Sequence, residues 1–397
     1  MSEHPPSPPK AEVFNAADSG IWFAVFAGAG VVGLLVSLIG AFRSNQQFVF
    51  SWLVACIYFF TLAVGCLFWV LVHHATDAEW SVLVRRVLEN VATLVPVTLL
   101  FFLPALFCAG NLWSWWNIPV GTDKLLDNKR WYLSHGFFIL RYLIYFFGLS
   151  SVALALRKNS VSQDADGSPL RTVRMRKLGI AGIPIFAFSL TFSAFDWLMG
   201  LDYKWSSTMW GVYIFAGAAG SSLGLTVLLV TWLRNKGYLK GVTMEHYHIM
   251  GKLMLAFCIF WAYIGFSQYM LIWYANIPEE TEYYIRRNIE SWHTLSTLLV
   301  VGRFFLPLPL LLMQWTKKTV RVICGVAAWM LCMQYLDLYI IIMPMLHKTG
   351  VAVSPLDFFT WIGIGGTLGA IFLWRLPKTN LFPLRDPRLP ESVVLTN

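Results

Sequence analysis

Charge is what this chain has least of: Asp, Glu, Lys and Arg together make up 13% of its 397 residues, against 57% hydrophobic residues. That balance excludes a soluble globular domain and reads as a polytopic membrane protein. The motifs of several common chemistries are also missing. There is no Gly-rich phosphate loop, no nucleophile elbow and no HExxH. Cys56, Cys66, Cys108, Cys258, Cys324 and Cys332 all fall inside apolar runs. None forms a CxxC or the four-Cys run of an iron–sulfur site, so they read as small apolar core residues. The N-terminus, MSEHPPSPPKAEVFNAADSG, is too polar and Pro-rich for a signal peptide, and none is expected. A nucleic-acid surface is a poor reading of the net charge of +9, because the basic residues are spread over separate loops.

What is present is a series of long apolar runs. A hydrocarbon core of about 30 Å takes about 20 apolar residues per helix, which places ten spans near 20–42, 48–72, 91–109, 133–156, 178–200, 208–233, 246–275, 292–315, 320–345 and 355–375. Lipid offers the backbone no hydrogen-bond partners, so the runs must be helices and the fold all-α. Lys and Arg concentrate on the side that carries both termini, notably in 157–177 and at Arg234, Lys236, Lys240, Lys317, Lys318 and Arg321. The positive-inside bias makes that side cytoplasmic. The segment 157–177 is expected to be flexible in its middle and to lie on the anionic leaflet. Residues 76–90 read as an interfacial amphipathic helix. His73 and His74 fall at a span-to-loop transition, where solvation is expected and no role is assigned. Gly28, Gly33, Gly40, Gly363, Gly365, Gly366 and Gly369 read as sites of close helix packing.

The chain also repeats itself. Asn117-Ile118-Pro119 matches Asn276-Ile277-Pro278, each followed by a His (His135, His293) and an intramembrane Arg (Arg141, Arg303). The fifth and ninth spans carry Asp196 and Asp337 at similar depth. Matched spans lie four helices apart, so the copies point the same way. The expected organisation is a disordered arm at 1–19, a peripheral helix at 20–47, parallel four-helix bundles at 48–200 and 201–346, a second peripheral helix at 347–376 and a tail at 377–397. The tail after Phe382 offers no recognisable chemistry.

A charge near the centre of a spanning helix costs about 2.5–3.5 kcal/mol on insertion scales, so such residues usually face a bundle interior and mark a site. Glu245, His248 and Lys252 follow i, i+3, i+7, with Tyr263 and Ser267 on the same face higher up. Ser189, Ser193 and Asp196 share a face of the fifth span, and Gln334 and Asp337 one of the ninth. His135, Arg141, His293 and Arg303 gather with these acids in the periplasmic half. Interfacial charges that snorkel and ion pairs that merely hold a bundle together are the plain alternatives. Buried pairs stabilise weakly for their desolvation cost, which favours function, and His exchanges protons near neutral pH. Axial haem ligation by His135 and His293 is disfavoured because both lie near helix ends.

The stretches TFSAFDWLMGLDYKWSSTMWGVY (191–213), MEHYHIMGKLMLAFCIFWAYIGFSQYMLIWYANIPEE (244–280) and WYLSHGFFILRY (131–142) resemble the ActF subunits of bacterial alternative complex III. These belong to the NrfD-like, polysulfide-reductase membrane-subunit-like family. The resemblance covers nearly the whole chain. It implies a non-catalytic or accessory subunit of a quinol:electron-acceptor oxidoreductase in the bacterial cytoplasmic membrane. Such a chain binds no haem or metal itself. It would work beside an ActC-like quinol-binding homologue, iron–sulfur subunits and multihaem cytochrome c subunits, with menaquinol or another quinol in the complex. The positions that match the family's proposed proton path are His135, Arg141, Asp196, Glu245, His248, Lys252 and Tyr263. The residues alone leave open a secondary transporter with parallel repeats, whose helix breaks Pro96, Pro104, Pro184, Pro307 and Pro309 could supply, and a purely structural anchor.

Overall fold

A computed structural model describes residues 11–396, and among them there is no β-strand. Among the described residues ten helices are long and apolar enough to cross a membrane. They are α1 (Trp22–Arg43), α2 (Asn45–Thr76), α3 (Val82–Phe107), α4 (His135–Asp166), α5 (Pro169–Leu201), α6 (Trp210–Asn235), α7 (Met244–Ala275), α8 (Glu290–Leu312), α9 (Val320–Met345) and α10 (Pro355–Lys378). The chain is an all-α, multi-pass membrane protein.

Packing follows from where apolarity is uniform. A helix that is hydrophobic all round is buried by neighbours or faces lipid. α2 takes the first course, and most of its residues are inaccessible. α1, equally apolar, takes the second and leaves Val31, Leu35 and Ile39 exposed. α2 packs on α3 and α5, and α4 packs on the same two helices, closing a ring. α6 and α8 each pack on α7 and α9, closing a second ring of the same order. α2 and α6 meet between the rings, while α1 lies along α10 and α10 rests on α2.

Glycine allows the α1–α10 pair to come very close. A Cβ on Gly33 would stand 2.5 Å from the Gly363 nitrogen, and one on Gly366 would stand 2.5 Å from the Gly30 nitrogen. Gly40 and Gly369 are similarly crowded and Gly365 is crowded by Phe59 of α2, whereas Gly28 meets nothing within 4 Å, so Gly30 takes the packing role expected of Gly28.

Four segments differ from the sequence expectation. Residues 157–177 are not a flexible loop: α4 runs on to Asp166, turns at Gly167 in the left-handed region (φ 61°), and α5 starts at Pro169. Proline suits a first helical turn, where its missing N–H is not needed. Residues 76–90 do not form an interfacial helix. Val82–Ala92 is buried on every face, Arg85, Arg86 and Glu89 included, and begins α3. The arm expected to be disordered at 1–19 is packed from residue 11 onward: Val13 bridges Asn380, Phe14 is buried, and Ala16–Ser19 forms a 3-10 turn. Its first ten residues lie outside the described set. The tail also folds back, with the Leu381 amide donating to the Glu12 carbonyl at 2.8 Å. The two ends of the chain therefore meet on one side, here termed the termini side. Among the cysteines, Cys332 is exposed and Cys108 and Cys324 are half-buried, so only Cys56, Cys66 and Cys258 are core residues.

Candidate functional site: two buried arginine–aspartate centres

Each ring of helices holds one buried Arg–Asp centre. In the first, Arg141 in the second turn of α4 donates from Nε and Nη2 to the two carboxylate oxygens of Asp196 on α5, both at 2.8 Å. This fork-to-carboxylate geometry is the strongest pairing arginine makes. Tyr145, one turn beyond Arg141, donates its hydroxyl to Asp196 Oδ2 at 2.7 Å. The Tyr132 ring lies 3.8 Å from the guanidinium carbon, and its carbonyl accepts from Arg141 Nη1 at 2.9 Å. Asp196 is 1% exposed, so no oxygen of the carboxylate meets lipid.

In the second, Arg303 Nη1 on α8 pairs with Asp337 Oδ2 on α9 at 2.6 Å, and Nη2 donates to Gln334 Oε1. Tyr213 on α6 donates to Asp337 Oδ1 at 2.6 Å, and the Trp261 indole on α7 donates to Oδ2 at 3.1 Å. That indole also lies 4.5 Å beneath the guanidinium. All four helices of the second ring thus contribute, α9 with both Gln334 and Asp337. The two centres approach each other across α2: Phe60 packs on Trp197 beside the first, and Thr61 accepts from Gln334 Nε2 at 3.4 Å in the second.

The backbone around Arg303 is specialised. Val301–Phe305 is a π-turn in which the Leu306 amide reaches the Val301 carbonyl at 2.9 Å. Single π-turns inside α-helices often occur at functional sites. Pro307 has no N–H, so the Arg303 carbonyl lacks its usual partner four residues on. Cys258 Sγ donates to that carbonyl at 3.3 Å instead. The Gly302 carbonyl, bypassed by the same π-turn, accepts from the Trp329 indole at 2.7 Å. A cavity of about 10 Å³ lies among Gly217, Ser221, Cys258, Trp261 and Arg303, room for a single water.

The remaining expected residues fall elsewhere. His135 is exposed, stacked on Trp116 at 4.1 Å with its Nε2 2.9 Å from the Trp116 carbonyl, and does not reach Asp196. His293 is likewise exposed and pairs with Asn288 Oδ1. Both sit in the first turn of their helices, where the side chain projects past the ring. Ser193 bonds the Leu190 carbonyl of its own helix at 2.9 Å, and Ser189 is buried nearby. On α7, Tyr263 is 63% exposed and points away from its ring, Lys252 is exposed, and Ser267 is half-buried. From Lys252 upward the expected face therefore points away from the bundle interior. Lys252 and Tyr263, eleven residues or almost three whole turns apart, do share a face, but it points outward, and Trp261 lies on the opposite side that points in. Glu245 pairs with Lys318 at 2.6 Å, and His248 Nδ1 is 3.5 Å from its other oxygen. An acid there also suits the positive end of a helix dipole.

One charged assembly escaped sequence reasoning. On the termini side, Glu89 Oε1 accepts from Arg85 Nε at 3.1 Å and from Ser160 at 2.7 Å. Its Oε2 accepts from Arg157 Nη1 at 3.1 Å. Arg86 reaches Asp164 at 2.9 Å, and Arg85 Nη1 reaches Asp386 in the tail at 2.6 Å. His73 joins through Ser81 at 2.6 Å and Arg85 at 2.5 Å. His73 and His74 are thus buried beneath the tail rather than solvated. Burial of Asp386 opposes its ionisation, but the Arg85 guanidinium outweighs this and holds its carboxyl below the ordinary value. The available signal was the density of opposite charges near residues 85–89 and 157–164. Among the described residues no group of three or more His, Cys, Asp or Glu side chains is arranged to hold a metal ion. No protein-family model and no curated protein matches this chain.

Proposed function

We propose that this chain is an integral membrane subunit of a bacterial quinol:electron-acceptor oxidoreductase of the alternative complex III type, accessory to quinol oxidation and conducting protons across the membrane. Its likeness to ActF subunits supports the assignment to such a complex. The observation that carries the proton role is the pair of membrane-embedded centres, Arg141–Asp196–Tyr145 and Arg303–Asp337–Tyr213. Each joins a carboxylate to a hydroxyl that can relay a proton, and burying such groups only to hold helices together is an expensive solution. Partners would be an ActC-like homologue with the quinol site, iron–sulfur subunits and multihaem cytochrome c subunits. The bacterial inner membrane, with both termini cytoplasmic, follows from the same reading.

Proton conduction would not use the α7 stripe beyond its lower end, because Tyr263 faces outward. The buried His73–Arg85–Glu89 assembly is the better-placed titratable group on the termini side. A secondary transporter finds less support, since the cavity beside Arg303 has room for one water and no larger solute. The structural-anchor reading retains one specific observation in its favour: both oxygens of Asp196 are engaged by Arg141 and Tyr145. The deciding experiment is to reconstitute the intact complex in vesicles and measure protons moved per electron during quinol oxidation. A chain carrying both Arg303→Gln and Asp337→Asn, which leaves no buried charge unpaired, should preserve electron flow and lower that ratio. An unchanged ratio in a folded variant would leave the anchor.

A further inference from the structure

A second cavity, unrelated to the charged centres, lies between the α1–α10 pair and the core. It has a volume of about 370 Å³ and is walled by Phe59, Leu62 and Ala63 of α2, Val91, Leu94 and Thr98 of α3, Leu225 and Leu229 of α6, and residues of α1 and α10. This lies within the range of sites that enclose small molecules. No polar atom faces the cavity. Even Thr98 spends its hydroxyl on the Val95 carbonyl at 2.8 Å.

The cavity has a direction. Trp22, Trp232, Phe372 and Leu373 belong to the termini ends of their helices, whereas Phe59, Leu62 and Thr98 lie near mid-depth. It reaches the surface beside Trp22 and Phe26, which are 48% and 38% exposed. Arg375 follows Leu373 within a turn and hydrogen-bonds the Thr93 carbonyl at 2.9 Å, which fixes it to α3 at the level of the lining residues Val91 and Leu94.

We propose that this cavity holds one acyl chain of a membrane phospholipid, with the phosphate held at the mouth by Arg375. An unfilled void of this size would forfeit the dispersion contacts of its whole lining. Water does not compensate, because an apolar cavity stays dry. At this depth the surrounding medium is hydrocarbon, and a linear chain needs no polar partner along its length. A quinone fits less well, since its ring oxygens would meet no donor. The Arg375 guanidinium, fixed beside the lining through Thr93, complements a phosphodiester. Close packing at Gly30, Gly33, Gly363 and Gly366 keeps α1 on α10, so the void does not close by separating that pair.

The test uses the full chain in lipid nanodiscs containing phosphatidylglycerol with a photoactivatable diazirine on one acyl chain. After irradiation, adducts are mapped by peptide mass spectrometry. The expected result is labelling at Leu62, Leu225 and Leu229, competed by unlabelled phosphatidylglycerol and not by menaquinone. Ala63→Phe, which fills the cavity from α2, should lower labelling there by about tenfold, equivalent to losing 1.4 kcal/mol of binding. Labelling of the exposed Phe147 should not change and serves as the control for a folded, embedded chain. If Ala63→Phe fails to fold, Leu229→Trp fills the same space from α6. Adducts confined to exposed residues such as Leu143 and Phe147 would overturn the proposal. So would competition by menaquinone in place of phospholipid.

Discussion

Arg85 on α3 and Asp386 in the C-terminal tail form an ion pair at 2.6 Å, some three hundred residues apart in sequence and both buried. The pair turns the tail into a lid over a cluster in which Arg85, Arg86 and Arg157 face Glu89, Asp164 and Asp386. Three charges of each sign balance, so the assembly is neutral while every member is ionised.

Removing one member exposes the cost of that design. Asp386→Ala leaves Arg85 buried beside a single acid, and breaking a buried pair from one side costs about 3–5 kcal/mol. The tail should detach. Limited proteolysis after Phe382 should accelerate, while the ten helices keep their circular dichroism.

The same pair sets an acid limit. Asp386 has a carboxyl held below its ordinary value of 3.8 in the folded chain. Its contribution is therefore fully present above the unfolded value and is lost as pH falls through the lower folded one. Tail protection should be constant from neutral pH to about pH 5 and decline below about pH 4. Hydrogen exchange at Leu381 and Leu384 against pH reads this directly. A decline centred near pH 6 would assign the lid to histidine instead.

A thiol supports the π-turn. Cys258→Ala removes the donor to the Arg303 carbonyl, and a lost intramolecular hydrogen bond of this kind is worth about 0.5–1.5 kcal/mol. Pro307→Ala supplies an amide that can take over. In a double-mutant cycle the Cys258→Ala penalty should shrink in the Pro307→Ala background. Equal penalties in both backgrounds would show that the thiol and the missing amide are independent.

How far these features are legible in the sequence depends on what each one needs. Ten spans follow from length and apolarity alone. The Arg141–Asp196 and Arg303–Asp337 pairings are nearly as direct, because a charge in hydrocarbon must find its opposite. Tyr145 was within reach, lying one helical turn from Arg141 on the same face. Tyr213 and Trp261 were not, since aromatic residues make up 16% of the chain and few touch a charge. Residues 76–90 misled for a physical reason: alternating apolar and basic positions look interfacial until a distant tail covers the basic face. The His135 and His293 positions misled because sequence spacing shows depth but not whether a first-turn side chain reaches inward.

Tyr263 gives a check on the outward register of α7. Its side chain is 63% exposed, and exposed substitutions away from special features usually stay within about 0.5 kcal/mol. Tyr263→Phe should leave both stability and the proton-per-electron ratio unchanged. A lowered ratio would return Tyr263 to the path and imply a partner on that face.

The first centre needs a subtler pair of variants, because conduction and anchoring both predict damage when Asp196 is lost. Asp196→Asn alone leaves the Arg141 charge without its counter-charge at a buried site and should destabilise by about 3–5 kcal/mol. Its effect on proton movement is then uninterpretable. Arg141→Gln with Asp196→Asn removes both charges, keeps hydrogen-bonding groups in place, and removes the proton that Asp196 could exchange. Replacing both members of a buried pair is often close to neutral, so most of the stability should return. A structural anchor would regain full function along with its fold. A proton-conducting centre would regain the fold and electron flow but not the proton-per-electron ratio, and that separation between thermal stability and translocation is the expected result.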